Sequence, residues 1–403
     1  MTVRYSVLRR MRPRDPNEPH RVATPLELLF DLTFVVAVAR ASAALAGAIT
    51  ENELHHVVGY LMVFFAIWWA WMNFTWFASA YDCDDAAYRV LALLQMAGVL
   101  VLAAGVDEAF ADEDFKTVTL GYVLMRIAMV IQWLRAAAAD PERRNTNLGY
   151  AAGIFVVQLG WVARLALPDA IAFPAFFVLV AAELAVPWLT EQQGMTPWHP
   201  RHVAERYGLF TIIVLGECVT AASGALRGLF QFGGVTVDLV LLSVGGLLLL
   251  FGMWWIYFLH DTGEALGERR HLSFVWGYSH YLVFASAAAV GAGLEAASEL
   301  TLLDALHVHG EEAAHAANGR TAALAIAVAV SVFLLLTSYV HTSLTDGHLP
   351  AVPETAVAAV ALVAIGLILG NASLPFTVLA QGLVVALLVA SAVLRDTAEE
   401  ETP

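Results

Sequence analysis

Ionisable side chains are scarce in this sequence. Only 14% of its 403 residues are Asp, Glu, Lys or Arg, whereas soluble domains carry about 25%. Hydrophobic residues make up 59% of the chain, above the roughly 45–50% of a soluble domain, and the mean hydropathy is +0.69. The composition therefore excludes an ordinary soluble domain and predicts an all-α integral membrane protein.

The residues of several common functional classes are also absent or few. The net charge of −15 gives no support to nucleic-acid binding, and we expect no nucleic-acid partner. The two cysteines, Cys83 in a predicted loop and Cys218 in a predicted span, predict neither a disulfide nor a zinc site. Since no P-loop, nucleophile elbow, HExxH or dinucleotide-binding pattern occurs, we expect no enzyme, no cofactor and no ATP-driven pump.

Long apolar runs fill the rest of the chain. A spanning helix needs about 20 mostly apolar residues, and twelve such runs occur. They lie near 26–47, 57–79, 88–106, 117–139, 148–167, 169–190, 205–226, 235–259, 274–294, 321–341, 352–370 and 373–394. Only Leu-Pro-Asp at 167–169 divides the fifth from the sixth, and only Gly370-Asn371 divides the last two, so ten or eleven spans remain open.

The basic residues predict the orientation, because Lys and Arg concentrate in cytoplasmic loops. With twelve spans and an inner N-terminus, fifteen of the 21 basic residues fall on the inner side and four on the outer. The basic N-terminal segment shows no short apolar run with a small-residue cleavage site, and we interpret it as a cytoplasmic tail. We expect a multi-pass protein of the bacterial plasma membrane, with the lipid bilayer as partner and both termini inside.

The two halves of the chain resemble each other. Phe-Ala-Ile-Trp-Trp-Ala-Trp at 65–71 and Phe-Gly-Met-Trp-Trp-Ile-Tyr at 251–257 share an F-x-x-W-W-x-aromatic pattern. The pattern predicts a parallel six-plus-six repeat, as in known transporters. The predicted organisation is a basic tail (1–24), a first repeat (25–200), a second repeat (201–395) and an acidic tail (396–403).

Three ionisable residues stand in the first span. Glu27, with Thr24 at N-cap and Pro25 after it, fits a capping box, and Arg40 lies near enough to the outer face to snorkel. Asp31 lies about 6 Å beyond Glu27, past the first turn of the helix. Capping and the helix dipole are weaker there, so the helix end explains Asp31 less well than it explains Glu27. For Asp31 the sequence leaves a functional role and an ion pair both open.

Further polar candidates lie in other spans, where each charge costs roughly 2.5–3.5 kcal/mol on insertion scales. They are Arg126, Glu183, Glu217, His260, Asp261 and His280. One interpretation pairs Arg126 with Glu217 or Asp31 and treats the others as contacts between helices. The other is a polar cavity, open to the cytoplasm, that handles cations or protons; we favour it because acids outnumber bases at these depths. Gly216 predicts close approach of another helix beside Glu217.

Two further features carry weaker predictions. The tryptophan pairs Trp68-Trp69 and Trp254-Trp255 are either interfacial belt residues or an aromatic gate. The outer loop 304–320 is acidic and histidine-rich, which is typical of an exposed loop. Its weak metal candidates are His307, His309, Glu311 and His315.

The motifs resemble those of a known family. Thr-Pro-Leu-Glu-Leu-Leu-Phe-Asp-Leu-Thr-Phe-Val-Val-Ala at 24–37, Glu-Arg-Tyr-Gly-Leu-Phe-Thr-Ile-Ile-Val-Leu-Gly-Glu at 205–217 and Trp-Gly-Tyr-Ser-His-Tyr-Leu at 276–282 resemble the bacterial low temperature requirement protein A family. The resemblance implies a multi-pass membrane protein linked to growth in the cold, and supplies no catalytic residues. Phe30-Asp31 is also similar, more faintly, to potassium channels with Phe-Ser-Asp in their first helix, but the Ser is absent here.

Three functions follow as hypotheses. The first is a transporter of cations, or of a small solute coupled to protons, lined or gated by the polar candidates. The second is a cation channel with its pore at the interface of the two repeats. The third is a membrane scaffold or sensor that transports nothing and whose buried charges specify packing.

Overall fold

The structure, a computed structural model, describes residues 7–19, 21–111, 113–231, 236–305, 312–344 and 352–400, without the side chains of 221–231, 305, 312–317, 352 and 396–400. Helices make up 84% of it, and the described residues contain no strand. This confirms the predicted all-α class.

Fourteen α-helices follow one another along the described chain. They are α1 (Pro25–Thr50), α2 (His56–Tyr81), α3 (Ala86–Ala104), α4 (Val106–Ala111), α5 (Lys116–Ala139), α6 (Arg144–Arg164), α7 (Asp169–Glu191), α8 (Pro200–Gln231), α9 (Val237–Tyr257), α10 (Thr262–Glu268), α11 (Ser273–Ala305), α12 (Glu312–Leu344), α13 (Val352–Leu369) and α14 (Leu374–Glu400). A 3₁₀ turn, Arg270–Leu272, precedes α11.

Each of the twelve predicted spans corresponds to one of the long helices. The two uncertain divisions are real breaks, because α6 and α7 are separate helices, as are α13 and α14. Within the described residues, ten helices are long and apolar enough to cross a membrane. Neither α8 nor α13 is among the ten, so the count of twelve stays a prediction.

The chain divides into two compact units. The first comprises Met1–Ala37 and Phe65–Tyr207, and the second comprises Val38–Phe64 and Gly208–Pro403. The chain passes from one unit to the other inside α1, α2 and α8. The six-plus-six repeat, divided at residue 200, is a separate idea based on sequence similarity, and it stays a prediction.

Glycine lets helices approach closely in the first unit. At the crossing of α3 and α5, a Cβ atom on Gly121 would lie 2.4 Å from the backbone nitrogen of Leu102 and 2.5 Å from the oxygen of Gly98. Any larger residue would force the two backbones apart, because packed helices have no room to absorb the extra atom.

The N-terminal segment packs onto the first unit. The backbone nitrogen of Arg14 donates to the oxygen of Ala80 at 2.9 Å, and the Arg21 guanidinium donates to the oxygen of Ala78 at 2.9 Å. Arg10 reaches the oxygen of Ala139 at 3.1 Å. These carbonyls belong to the last turns of α2 and α5, which lack partners within their own helices. The side chains of Arg10 and Arg21 therefore place positive charge at helix C-termini, where it is favoured, while Arg14 contributes a backbone hydrogen bond.

Close helix crossings also organise the second unit. In α9 a Cβ on Gly245 would lie 2.6 Å from the nitrogen of Leu379 in α14. Where α11 meets α12, a Cβ on Gly293 would lie 2.6 Å from the side chain of Ile326. Small residues thus set the helix spacing in this unit as well.

Replacing Gly121 tests the close crossing of α3 and α5. We expect Gly121→Ala to lower the free energy of unfolding by about 1–3 kcal/mol, the usual cost of overpacking. Gly59→Ala in α2 is the control, since a Cβ there meets no atom within 4 Å; this change should be neutral or stabilising by roughly 0.5–1 kcal/mol. Thermal unfolding in detergent measures both, and equal melting temperatures would contradict the packing.

Candidate functional site

An ion pair between Asp31 of α1 and Arg206 of α8 lies at the centre of the first unit. Arg206 Nε donates to Asp31 Oδ2 at 2.8 Å, and Nη2 donates to Oδ1 at 2.5 Å. The two parallel bonds form the fork geometry that makes arginine–carboxylate pairs strong and specific. Trp71 Nε1 donates a third hydrogen bond to the carboxylate, to Oδ1 at 2.7 Å.

Glu27, one helical turn before Asp31 in α1, has two roles. Its Oε2 accepts from the backbone nitrogen of Thr24 at 2.7 Å, while its own nitrogen donates to Thr24 Oγ1 at 3.3 Å. This reciprocal pair is the capping box predicted from the sequence. The other oxygen, Oε1, lies 3.3 Å from Arg206 Nη1 and 3.3 Å from His202 Nε2, and 4.0 Å from Arg21. Glu27 is thus both a cap and a member of the charge cluster.

Aromatic rings surround the charge cluster. Trp71 meets Tyr207 edge to face, with ring centroids 4.9 Å apart, and Phe30 stacks on Phe74 at 3.9 Å. Asp31 and Arg206 are both 0% exposed. An ion pair removed from water in this way repays its desolvation only when its geometry is good, and removing one partner strands the other charge.

A second buried cluster centres on Glu183 of α7. Its carboxylate accepts from Trp69 Nε1 at 2.8 Å, Tyr122 OH at 2.8 Å and Trp161 Nε1 at 3.2 Å. Arg126 Nη2 lies 3.4 Å from it and also donates to Tyr122 OH. Three helices of the first unit, α2, α5 and α6, therefore converge on one carboxylate of a fourth, α7.

These pairings differ from the ones the sequence suggested. Arg126 pairs with Glu183, not with Asp31 or Glu217, and Asp31 pairs with Arg206. Two nitrogens of Arg126, Nε and Nη1, have no hydrogen-bond partner among the described residues. The two clusters together contain three acids and, with Arg21 4.0 Å from Glu27, three arginines, so the surplus of negative charge expected from the sequence is not found in them.

Glu217 lies in the second unit and has different surroundings. Its side chain is half-buried, and it makes no hydrogen bond or ion pair with the described residues. Glu295 of α11 is close enough to repel it electrostatically. The close approach predicted at Gly216 is wrong, since a Cβ there meets no atom within 4 Å; it occurs at Gly291, where a Cβ would lie 2.9 Å from Glu217 Cβ.

His280 is buried in the same unit and has both ring nitrogens engaged. Its Nδ1 lies 2.7 Å from the oxygen of Trp276, and its Nε2 lies 3.0 Å from Tyr257 OH. A carbonyl oxygen only accepts, so Nδ1 donates and the tyrosine hydroxyl donates to Nε2. The neighbouring candidates are more exposed: His260 stacks edge to face on His341 at 5.5 Å, and Asp261 caps α10 by accepting from Gly263 at 2.8 Å.

The remaining candidates lie in mixed environments. The pair Trp68-Trp69 is buried, whereas Trp254 and Trp255 are each 46% exposed, so the two members of the proposed repeat differ here. Arg40 is exposed, as an interfacial residue would be. The metal candidates His307, His309 and Glu311 lie outside the described residues, and of His315 only the helical backbone is described.

The sequence interpretation missed both Arg206 and His202. It counted Arg206 among the basic residues of the inner side and gave His202 no role. A signal was present, however. Glu27 and Asp31 are four residues apart, and so are His202 and Arg206, which places each pair on one helix face. Both contacts join residues 175 positions apart in the chain. Two acids and two bases at the same spacing therefore form a ladder between parallel helix starts.

Asp82 lies just beyond the last residue of α2, outside the spanning helices. It is 7% exposed, and its Oδ1 accepts from the nitrogen of Asp84 at 3.0 Å. Burial raises the pKa of Asp82 to about 6, repulsion from Glu27 adds to this rise, and attraction to Arg21 opposes it. The folded protein therefore holds this proton more tightly than the unfolded chain does.

The chain is similar to a known protein family and to a curated bacterial protein. The family model described as bacterial low temperature requirement A protein (LtrA) matches residues 22–392. An uncharacterized protein of Rhizobium meliloti (strain 1021) is 26% identical over 265 residues, which cover 64% of this chain. The match spans about 63% of the length of that curated relative. No solved structure matches.

The Asp31–Arg206 pair can be tested by a double-mutant cycle. We expect Arg206→Gln and Asp31→Asn each to lower the free energy of unfolding by about 3–5 kcal/mol, because each strands a buried charge. The double variant should lose less than the sum of the two. The control, Asp84→Asn, breaks an exposed pair with Arg89 at 2.7 Å and should cost about 0–1 kcal/mol. Additive losses would contradict direct pairing.

Asp82 predicts a pH dependence of stability. Because its pKa is raised in the folded state, its contribution is fully present below about pH 4 and is lost as the pH rises through about 6. Asp82→Asn should stabilise the protein above pH 6 by on the order of 3 kcal/mol and flatten the profile between pH 4 and 7. Melting temperatures across this range, with Asp84→Asn as control, measure it; an unchanged profile would refute the assignment.

Proposed function

We propose that this protein, which belongs to the bacterial low temperature requirement A family, transports a cation, or a small solute coupled to protons, across the membrane. Glu217 is the carboxylate that binds the transported or coupling ion. Asp31, Glu27, Arg126 and Glu183 hold the helices of the first unit in place. This gives those four residues a structural role and moves the proposed ion site to the second unit.

The observation that carries the proposal is the contrast between Glu217 and the other buried acids. Asp31 and Glu27 share Arg206, and Glu183 has Arg126. Glu217 is half-buried and has no cation partner among the described residues. An ionisable residue at this depth is costly and by default marks an ion or substrate path.

The surroundings of Glu217 support cation binding. Glu295 repels it, so the pair attracts a proton or a metal cation, which relieves the repulsion. The helix carrying Glu295 is held against α8, because Gly291 packs on Glu217 and Cys218 Sγ donates to the oxygen of Ala287 at 3.8 Å. Binding or release of one cation would therefore change the force between α8 and α11 directly.

One specific observation favours a second candidate, a scaffold or sensor that transports nothing. In the first unit the charges of both clusters are buried and mutually paired, as packing contacts would be. In that case Glu217 would serve assembly rather than transport. No contact among the described residues favours the cation channel over these two, and it stays a hypothesis.

Ion flux into liposomes tests the proposal. Purified protein is reconstituted and assayed for proton, potassium and sodium flux with ion-sensitive dyes. We expect the wild type to carry at least one of these ions, and Glu217→Gln to reduce that flux at least tenfold while the melting temperature stays unchanged. Glu354→Gln, which removes an exposed carboxylate paired with Arg395, should leave the flux intact.

The outcomes separate the candidates. No flux of any ion by the wild type would reject transport of these ions and favour the scaffold. Equal flux in wild type and Glu217→Gln would reject Glu217 as the site. Flux that rises linearly with ion concentration, without saturation, would favour the channel.

A further inference from the structure

An apolar cavity of about 420 Å³ lies in the second unit, among α1, α2, α11 and α12. Its volume is in the range of ligand pockets, roughly 300–1,000 Å³. Sixteen residues line it, and aliphatic side chains dominate, among them Leu45, Ile49, Leu61, Leu324 and Val332. Glu217 is not among its lining residues, so a role for the cavity does not rest on the transport proposal.

Small side chains create the cavity. Where α11 and α12 face it, the lining residues include Ala285, Ala289, Ala325 and Ala329. These positions share one face of each helix, since they are four residues apart. Two facing columns of alanine leave a furrow that larger residues such as leucine would fill.

The cavity wall offers no free hydroxyl. Three lining residues carry one, and each is already bonded within the protein. Tyr60 donates to the oxygen of Ala285 at 2.6 Å, Ser286 to the oxygen of Val283 at 3.0 Å, and Thr321 to Asn52 Oδ1 at 2.7 Å. Water needs two to four polar partners to occupy a cavity, so this one favours hydrocarbon over water.

Two tyrosines join α2 to α11 next to the cavity. Tyr60 of α2 bonds to the backbone of α11, and Tyr281 of α11 bonds in return to the oxygen of Leu61 in α2 at 2.7 Å. The two reciprocal bonds hold the helices at a set distance. The cavity is therefore preformed, which reduces the entropic cost of binding.

The cavity opens onto the surface of the spanning helices. Four of its lining residues, Leu54, Val57, Leu282 and Val328, are exposed. In a multi-pass membrane protein this surface faces the hydrocarbon of the bilayer. An empty furrow would forfeit dispersion contacts along its whole wall, and the molecule available to restore them is an acyl chain.

We propose that this cavity is a binding site for one acyl chain of a bilayer phospholipid. The acyl chain lies between the alanine columns of α11 and α12 on one side and the Tyr60 ring and the aliphatic side chains of α1 and α2 on the other. One end of the cavity reaches Leu54 and Thr321, beside the polar connection between α1 and α2. The glycerol and headgroup therefore lie at that end, next to Asn52 and Glu53.

Photo-crosslinking tests the site. The protein is reconstituted with a phosphatidylcholine that carries a diazirine in one acyl chain, irradiated, digested and analysed by mass spectrometry. We expect crosslinks to concentrate on the cavity segments 45–61, 282–289 and 321–332. Ala325→Trp, which fills the furrow, should reduce them at least fivefold. Val360→Trp adds the same ring on an exposed face of α13 and should change them less than twofold.

Other measurements keep the proposal falsifiable. If Ala325→Trp does not fold, Ala289→Leu fills the same furrow with a smaller side chain and carries the same expectation. A charged maleimide that cannot enter membranes should leave Ala289→Cys unlabelled, and rapid labelling would mean that water fills the cavity and overturn the proposal. Crosslinks spread evenly over the exposed faces would overturn it too, as would retention of free fatty acid without phospholipid in native mass spectrometry.

Discussion

The forked ion pair between Asp31 and Arg206 is the contact on which the arrangement of the first unit depends. A carboxylate and a guanidinium, both removed from solvent, are stable there only while they face each other. The start of α1 must therefore lie parallel to the start of α8, in one register. Glu27 and His202 make a hydrogen-bonding contact at the same chain separation one turn away. The N-terminal segment, through Arg21, and the aromatic rings pack around this cluster.

Charge is distributed unequally between the two units. In the first, arginine accompanies every acid of the two buried clusters, and Trp71, Trp69 and Trp161 donate further hydrogen bonds to the carboxylates of Asp31 and Glu183. Such clusters determine which helices pack together, since a mispaired helix would leave a charge in a low-dielectric interior. In the second unit Glu217 makes no hydrogen bond or ion pair with the described residues. This contrast is the basis on which we propose a packing role for one set of ionisable residues and ion binding for Glu217.

Composition and local pattern predict the helices of this protein well. The thickness of the bilayer requires about 20 mostly apolar residues in each spanning helix, whatever its tertiary contacts are. The Thr24–Glu27 capping box was likewise predictable, because it involves residues three apart. The partner of Asp31 was not, since Arg206 lies near the start of α8 and resembles an ordinary loop arginine. Only the matched four-residue spacing of the two pairs distinguishes it. The apolar cavity could not be predicted from the sequence, because it arises from alanines on helices that must first be brought together.

The separation of Asp31 from Arg206 along the chain has a consequence for biogenesis. The two residues are 175 positions apart, and ribosomes add about 5–20 residues per second. Asp31 therefore leaves the ribosome roughly 9–35 s before its partner exists. During that interval α1 carries an unpaired acid near its N-terminal end. The register between α1 and α8 is therefore set by a contact that can form only in the later part of synthesis, after the helices between them have been made.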